Sequence, residues 1–117
     1  MQNYKDLIVW KKAHELVLLV YRLTVAFPKV EQFSLTAQLR RAAVSIPTNM
    51  AEGCGKYTQP DLANYLQIAL GSSNEVEYLV FLSHELGYLN EGSTKDLNVR
   101  VNEVKAMLIT LIKKIRK

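Results

Sequence analysis

Apolar residues recur along most of the chain at alternating steps of three and four, which places them on one face of a helix with ~3.6 residues per turn. Four such stretches are separated by punctuation. The first predicted helix runs from about Asp6 to Phe27, with Asp6 as a candidate N-cap and Pro28 as a stop, because proline disfavours helical backbone in the residue before it. Its apolar row is Trp10, Ala13, Val17, Val20, Thr24 and Phe27, widened by Leu16 and Leu23. Ile8 and Leu18 fall instead among Lys11, Lys12, Glu15 and Arg22. Apolar residues on a polar face hint at a second buried surface.

The second predicted helix, residues 35–54, follows Ser34 and carries Leu35, Leu39, Ala42, Ile46 and Asn49 in its seam. Pro47 is expected to kink or divide it at Ser45, and Gly53-Cys54-Gly55 suits a left-handed C-terminal cap. The third, residues 59–87, opens on Thr58-Gln59-Pro60-Asp61, a capping pattern with proline in the tolerated first turn. Its seam reads Tyr65, Ile68, Ser72, Glu75, Leu79, Leu82, Leu86, with Gly71 offering room for a close backbone and Gly87 ending the helix. Ser93 with Asp96 repeats the capping pattern before a fourth helix, residues 94–116, whose seam is Leu97, Val101, Val104, Leu108, Leu111, Ile115. No segment alternates apolar and polar residues as a strand would. Short links favour antiparallel neighbours, so the expected fold is all-α, an antiparallel up-down-up-down four-helix bundle forming one domain over 1–117.

Composition agrees with a packed core: 49% of the 117 residues are hydrophobic. The longest apolar run, Leu16 to Tyr21, is far too short for a membrane span, and early charges at Lys5 and Asp6 oppose a signal peptide. A cytoplasmic protein without a membrane partner is expected, and the single cysteine, Cys54, agrees with a reducing compartment. The formal charge of +4 resides in the tail, since Lys113, Lys114, Arg116 and Lys117 leave eleven cations against eleven anions in the rest. Attraction to nucleic acid would therefore concentrate at the C-terminal end or require subunits to pool their tails.

The residues that could do chemistry are sparse. His14 and His84 lack an i+4 His or Cys partner, so no metal site is expected. Cys54 lies between glycines with no base in view, and no strand or Gly-Lys-Ser/Thr accompanies those glycines as a phosphate loop requires. Glu75 and Glu77 point about 200° apart on a helix and cannot share a site. No catalytic residue and no cofactor are expected. On the second helix Gln38, Arg41, Ser45, Thr48 and Glu52 form a polar stripe beside the seam. Together with Asn49, and with Ser72 and Glu75 from the third helix, they suggest a structural polar network in which Arg41 pairs with Glu75 or Glu52, within or between subunits. Lys11, Lys12, Arg40, Lys113, Lys114, Arg116 and Lys117 could contact phosphates in a salt-sensitive, sequence-tolerant way, although basic residues at a helix C-terminus also suit the helix dipole.

Several blocks resemble the bacterial 23S rRNA-intervening sequence proteins: Leu7-Ile8-Val9-Trp10-Lys11-Lys12-Ala13, Phe27-Pro28 with Glu31, and the run from Leu35 to Pro47 containing Gln-Leu-Arg-Arg-Ala-Ala-Val-Ser-Ile-Pro. Asn49, Ala51-Glu52-Gly53, and Ala69-Leu70-Gly71-Ser72 with Glu75 and Glu77 extend the likeness over nearly the whole chain, with Met50 and Ser73 as mild departures. The resemblance implies an antiparallel four-helix bundle assembled as a ring-like homopentamer, in which Ile8 and Leu18 would be contacts between neighbouring subunits. It also implies kinship with the accessory variability determinant of diversity-generating retroelements, a basic pentameric barrel that associates with nucleic acid and a reverse transcriptase. The family takes its name from gene location within rRNA intervening sequences, which does not make the product a ribosomal protein. The near-neutral body departs from that basic barrel. The resulting expectation is a non-enzymatic homopentameric scaffold or adaptor, with RNA or DNA and an unidentified protein as partners, or else a pure protein-interaction module.

Overall fold

The computed structural model describes residues 2–117. Four helices, α1 (Ile8–Thr24), α2 (Leu35–Cys54), α3 (Gln59–Glu85) and α4 (Glu91–Ile115), are accompanied by single 3-10 turns at Tyr4–Asp6 and Lys29–Glu31. Each helix packs on its neighbours in sequence, α1 closes on α4, and the backbones of the diagonal pairs nowhere approach within 8 Å between Cα atoms among the described residues. The result is an all-α, up-down-up-down bundle of 43 × 23 × 20 Å. Among the described residues there is no strand. No helix is long and apolar enough to cross a membrane.

The ends differ from the predicted ones where cap chemistry decided otherwise. Asp6 closes the 3-10 turn capped by Asn3, and α1 starts after Leu7. Ser34 precedes α2 but its hydroxyl makes no capping bond. Glu31 takes that role, its Oε1 accepting from the Leu35 N–H at 3.4 Å, while its Oε2 accepts from the Tyr88 hydroxyl at 3.0 Å. This hydrogen bond, then burial and the carboxylate's charge, raises the Tyr88 phenol above its ordinary pKa. The fourth helix begins at Glu91, earlier than Ser93 indicated, because Asn90 is the stronger cap and accepts from the Ser93 N–H at 2.7 Å.

α2 continues as one α-helix through Pro47, whose ring is buried and whose missing N–H costs the bundle one internal bond. The expected division at Ser45 does not occur. Nor does α2 end on a left-handed glycine, since Gly55 has φ −84°. The left-handed cap is at Gly87, with φ 82°. There the Gly87 N–H reaches the His84 carbonyl and the Tyr88 N–H reaches the Ser83 carbonyl, the paired bonds of a Schellman ending.

The core contains most of the expected α1, α2 and α4 rows. Leu16, Leu39, Ile46, Val101, Val104 and Leu108 are fully excluded from solvent. Toward the end of α4 burial shifts from the expected Leu111 and Ile115 to Ile112, as follows when a straight helix of ~3.6 residues per turn drifts off a seven-residue repeat.

α3 is the main correction. Its buried row is Leu62, Leu66, Ala69, Ser73, Val76, Val80 and Ser83, with Ala63 and Leu79 beside it. The helix is thus turned by about one residue, or ~100°, from the expected seam. Ile68 and Leu86 of the expected seam are about half exposed, as are Tyr78 and Phe81 outside it. α2 and α3 lie close together where Gly53 faces α3: a Cβ at Gly53 would meet the Tyr65 Cβ at 2.9 Å and the Leu62 Cδ1 at 3.0 Å. The hydroxyls of Ser73 and Ser83 donate to the carbonyls four residues back, at 2.9 and 2.7 Å, and so are buried with partners. Gly71, expected to admit a neighbouring backbone, faces open space.

These two glycines give a paired stability prediction. Gly53→Ala lowers the unfolding free energy by about 1–3 kcal/mol through overpacking against Tyr65, whereas Gly71→Ala raises it by about 0.5–1 kcal/mol by improving helix propensity. Denaturant midpoints measured at equal m-value check both signs.

Candidate functional site

The antiparallel topology decides which charges meet. α4 descends to the end of the bundle where α1 begins and the α2–α3 link turns, and Arg116 Nη2 donates to Asn64 Oδ1 of α3 at 3.0 Å. Lys113, Lys114, Arg116 and Lys117 therefore share this end with Lys5, Lys11 and Lys56, residues from three other parts of the chain. Lys113 and Lys114 are exposed and form no ion pair. Lys5 and Lys56 stand over the Tyr4 and Tyr65 rings, 6.0 and 5.1 Å from their centroids. Asp6, Asp61 and Glu52 lie at the same end, so it is basic on balance rather than uniformly so. Lys5 and Lys56 were missed in the sequence because isolated lysines carry no signal until the fold brings them beside the tail.

Two expected phosphate ligands stand apart from this cluster. Lys12 faces Glu103 of α4 at 3.6 Å, a half-exposed pair. Arg40 is at the opposite end, its Nε donating to Thr24 Oγ1 at 2.8 Å, its Nη2 to the Tyr21 carbonyl at 3.4 Å, and its guanidinium lying 4.6 Å from the Tyr21 ring centroid. Stacking and hydrogen bonding together make it a clamp between α1 and α2.

The polar network divides into a formed part and an open part. Ser45 Oγ and Ser72 Oγ are 2.8 Å apart across α2 and α3, and Asn49 Nδ2 donates to the Ser45 carbonyl and Oγ at 2.8 and 2.9 Å. Gln38, Arg41, Glu52 and Glu75 are exposed and none belongs to an ion pair. The rotation of α3 explains Glu75: it lies on the outer face, not in the seam. An internal Arg41–Glu75 or Arg41–Glu52 bridge is thus absent from the chain, and both sides remain open for an external partner. The ion pair the fold does form on α3 uses Glu77, whose Oε1 is 3.0 Å from Lys105 Nζ of α4.

Ile8 and Leu18 are exposed as expected, at 63% and 49%, but they do not share one surface. Ile8 lines a depression with Met107 and Leu111 on the α1–α4 side. Leu18 belongs to an outward stripe with Tyr21, three residues on, and Val25, seven residues on at the end of α1, which are also exposed.

Catalytic geometry is poorly provided. Among the described residues no group of three or more His, Cys, Asp or Glu could hold a metal ion. Cys54 is 2% exposed and its thiol accepts from Gln2 Nε2 at 3.8 Å. Burial pushes its pKa above the ordinary thiol value, opposed by that hydrogen bond and by the N-terminal charge. His84 is occupied at both ring nitrogens, Nδ1 by the Leu89 carbonyl at 3.1 Å and Nε2 by Glu91 at 3.1 Å. His14 stacks on Trp10 with centroids 5.3 Å apart.

Residues 5–110 match the family described as 23S rRNA-intervening sequence protein. A crystal structure of a protein of unknown function from Bacteroides thetaiotaomicron, described as from the S23 ribosomal protein family, superposes with a TM-score of 0.82 at 28% identity, over 91% of this chain and 99% of that one. No curated protein matches the chain.

The buried, pKa-raised Cys54 should resist a disulfide-exchange reagent in the native protein at pH 8 and react with it at once in denaturant. Stopped absorbance measurements under the two conditions check this, and fast native labelling would show an activated thiol.

Proposed function

Because the chain belongs to the 23S rRNA-intervening sequence protein family, we propose that it is a non-enzymatic oligomeric scaffold or adaptor that binds RNA or DNA through its basic end without reading sequence. The carrying observation is the convergence of the C-terminal cations with Lys5, Lys11 and Lys56 at one end of the bundle, while Lys12, Arg100 and Lys105 are each held against a carboxylate. Lysine and arginine neutralise phosphates and release counterions, so such binding is strongly salt-dependent and indifferent to base identity. No base-reading element accompanies the cluster. One chain carries only +4. Five copies, the number the resemblance implies, would assemble twenty tail cations from four per chain, enough for the several phosphate contacts that this mode of binding needs.

Assembly is supported by the exposed apolar residues on α1 and α3, since contiguous patches of this kind mark association surfaces. The same residues favour a second reading, a protein-interaction module with no nucleic-acid role. The inaccessible Cys54 and the occupied His84 support a non-enzymatic role.

Neutralising Lys113, Lys114, Arg116 and Lys117 to Gln should abolish retention on heparin and single-stranded RNA at low salt. Any remaining binding should show a log Kd against log salt slope reduced by about 0.7 per phosphate contact removed from each chain. Arg40→Gln should leave binding unchanged, because the clamp lies at the other end. No retention of the unmodified protein even at low salt would favour the protein-interaction reading.

A further inference from the structure

On the nucleic-acid reading above, we infer that the basic end takes single strands in preference to duplexes, one unpaired base stacking on Tyr57 and entering the recess beside it. Tyr57 belongs to the link between α2 and α3 and, at 88%, is the most exposed tyrosine among the described residues. Its ring pairs with no other ring and no cation there, and the neighbouring Lys56 turns toward Tyr65 instead. Exposed aromatic residues scattered singly are ordinary. Two features around this one fit a nucleotide strand.

The first is the recess, about 290 Å³, lined by Gln2, Cys54, Lys56, Gln59 and Leu62 as well as Tyr57. It falls at the lower edge of the ~300–1,000 Å³ found for drug-sized ligands, room for one planar base rather than a longer segment. No carboxylate lines it. The Gln2 backbone N–H donates to the Cys54 carbonyl at 3.0 Å, which fixes the chain at the rim. The carboxamides of Gln2 and Gln59 each carry donors and an acceptor, so they suit the edge of any base and select none.

The second is the path of positive charge. Gln59 and Leu62 face this recess, while Pro60 and Asn64, on the same turns of α3, line another hollow with Arg116 and Lys117. Tyr57 lies three residues from Pro60, at most ~11 Å between Cα atoms at ~3.8 Å per residue, about one Debye length at ~0.1 M salt. Asp61 on this turn is outnumbered by Lys56, Arg116 and Lys117. A strand with its phosphates on the tail cations therefore brings its next bases to Tyr57 within the positive field. Stacking then adds an attraction open to every base, since each has a π-face. Cations alone would favour the duplex, whose phosphates are twice as dense along its axis. A duplex, however, keeps its bases paired and stacked inside, and extracting one is costly.

The test uses the full chain with Tyr57→Ala and Tyr57→Phe, unchanged circular dichroism and melting confirming that both fold. The probes are a mixed-sequence single-stranded RNA, the duplex of the same length, and heparin, which has phosphate-like charge but no bases. Fluorescence anisotropy should show the unmodified protein binding the single strand more tightly than the duplex. Tyr57→Ala should weaken single-strand binding at least about fivefold. Its duplex affinity, heparin retention and slope of log Kd against log salt should stay unchanged, because stacking releases no counterions. Tyr57→Phe should retain single-strand affinity, because its ring presents the same face. Undiminished single-strand binding by Tyr57→Ala, equal or tighter binding of the duplex by the unmodified protein, or a Tyr57→Phe loss matching that of Tyr57→Ala overturns the stacking site and leaves the basic end a phosphate-binding surface. An unmodified protein retained on neither heparin nor RNA at low salt overturns the nucleic-acid reading itself.

Discussion

The close approach of α2 and α3 is the constraint on which the rest depends. It is set where Gly53 meets Tyr65 and Leu62, with no room for a methyl group, and Ser45 meets Ser72 further along the same pair of helices. Two helices can approach this nearly only by presenting small side chains to each other. Once α3 turns Leu62, Leu66, Ala69 and Ser73 inward, Ile68 has no place in the core, and Tyr78 and Phe81 stay outside it. The same rotation carries Glu75 outward and Glu77 to Lys105. The Ser45–Ser72 bond fixes the register between the helices in place of the ion pair that the sequence suggested.

At each end of the bundle a few polar side chains complete what the helices leave open. At one, Glu31 caps α2 and holds Tyr88 from the α3–α4 turn, while Tyr88 lies 5.5 Å from Phe27. Arg40 joins Thr24 and Tyr21 nearby. These contacts commit their charges inward. At the other end the cations of the tail, α1 and the α2–α3 link face water, with Arg116 tied to Asn64. An almost neutral body therefore acquires a polarity along its long axis that composition does not express, because net charge carries no information about position.

The four helices, their order and most of the core were legible because a 3.6-residue apolar period survives averaging over many residues. Helix ends were less so. Asn90 and Ser93 are both good caps, and the choice between them turned on a hydrogen bond that spacing does not reveal. For α3, two rows one residue apart run at three-four spacing, Tyr65 to Leu86 and Leu62 to Ser83. Leu82 and Leu86 favour the first row in the sequence, yet the second is the buried one, a rotation settled against Gly53 of the neighbouring helix rather than in α3 itself.

Of the candidate site, the tail cations, the Ser45–Asn49–Ser72 contacts and the exposure of Ile8 and Leu18 could be found from the chain. The contributions of Lys5 and Lys56, the inward clamp at Arg40, and the separation of Ile8 from Leu18 onto different flanks could not. The sequence by itself determined helix number, amphipathic character, the absence of a base-reading motif and the location of excess charge, since each is a local or summed property of the chain. The tertiary structure decided which face of α3 is buried, which cations converge and which carboxylates remain unpaired. Those depend on the distance between helices and their rotation about their axes, which side chains far apart in sequence settle together through packing.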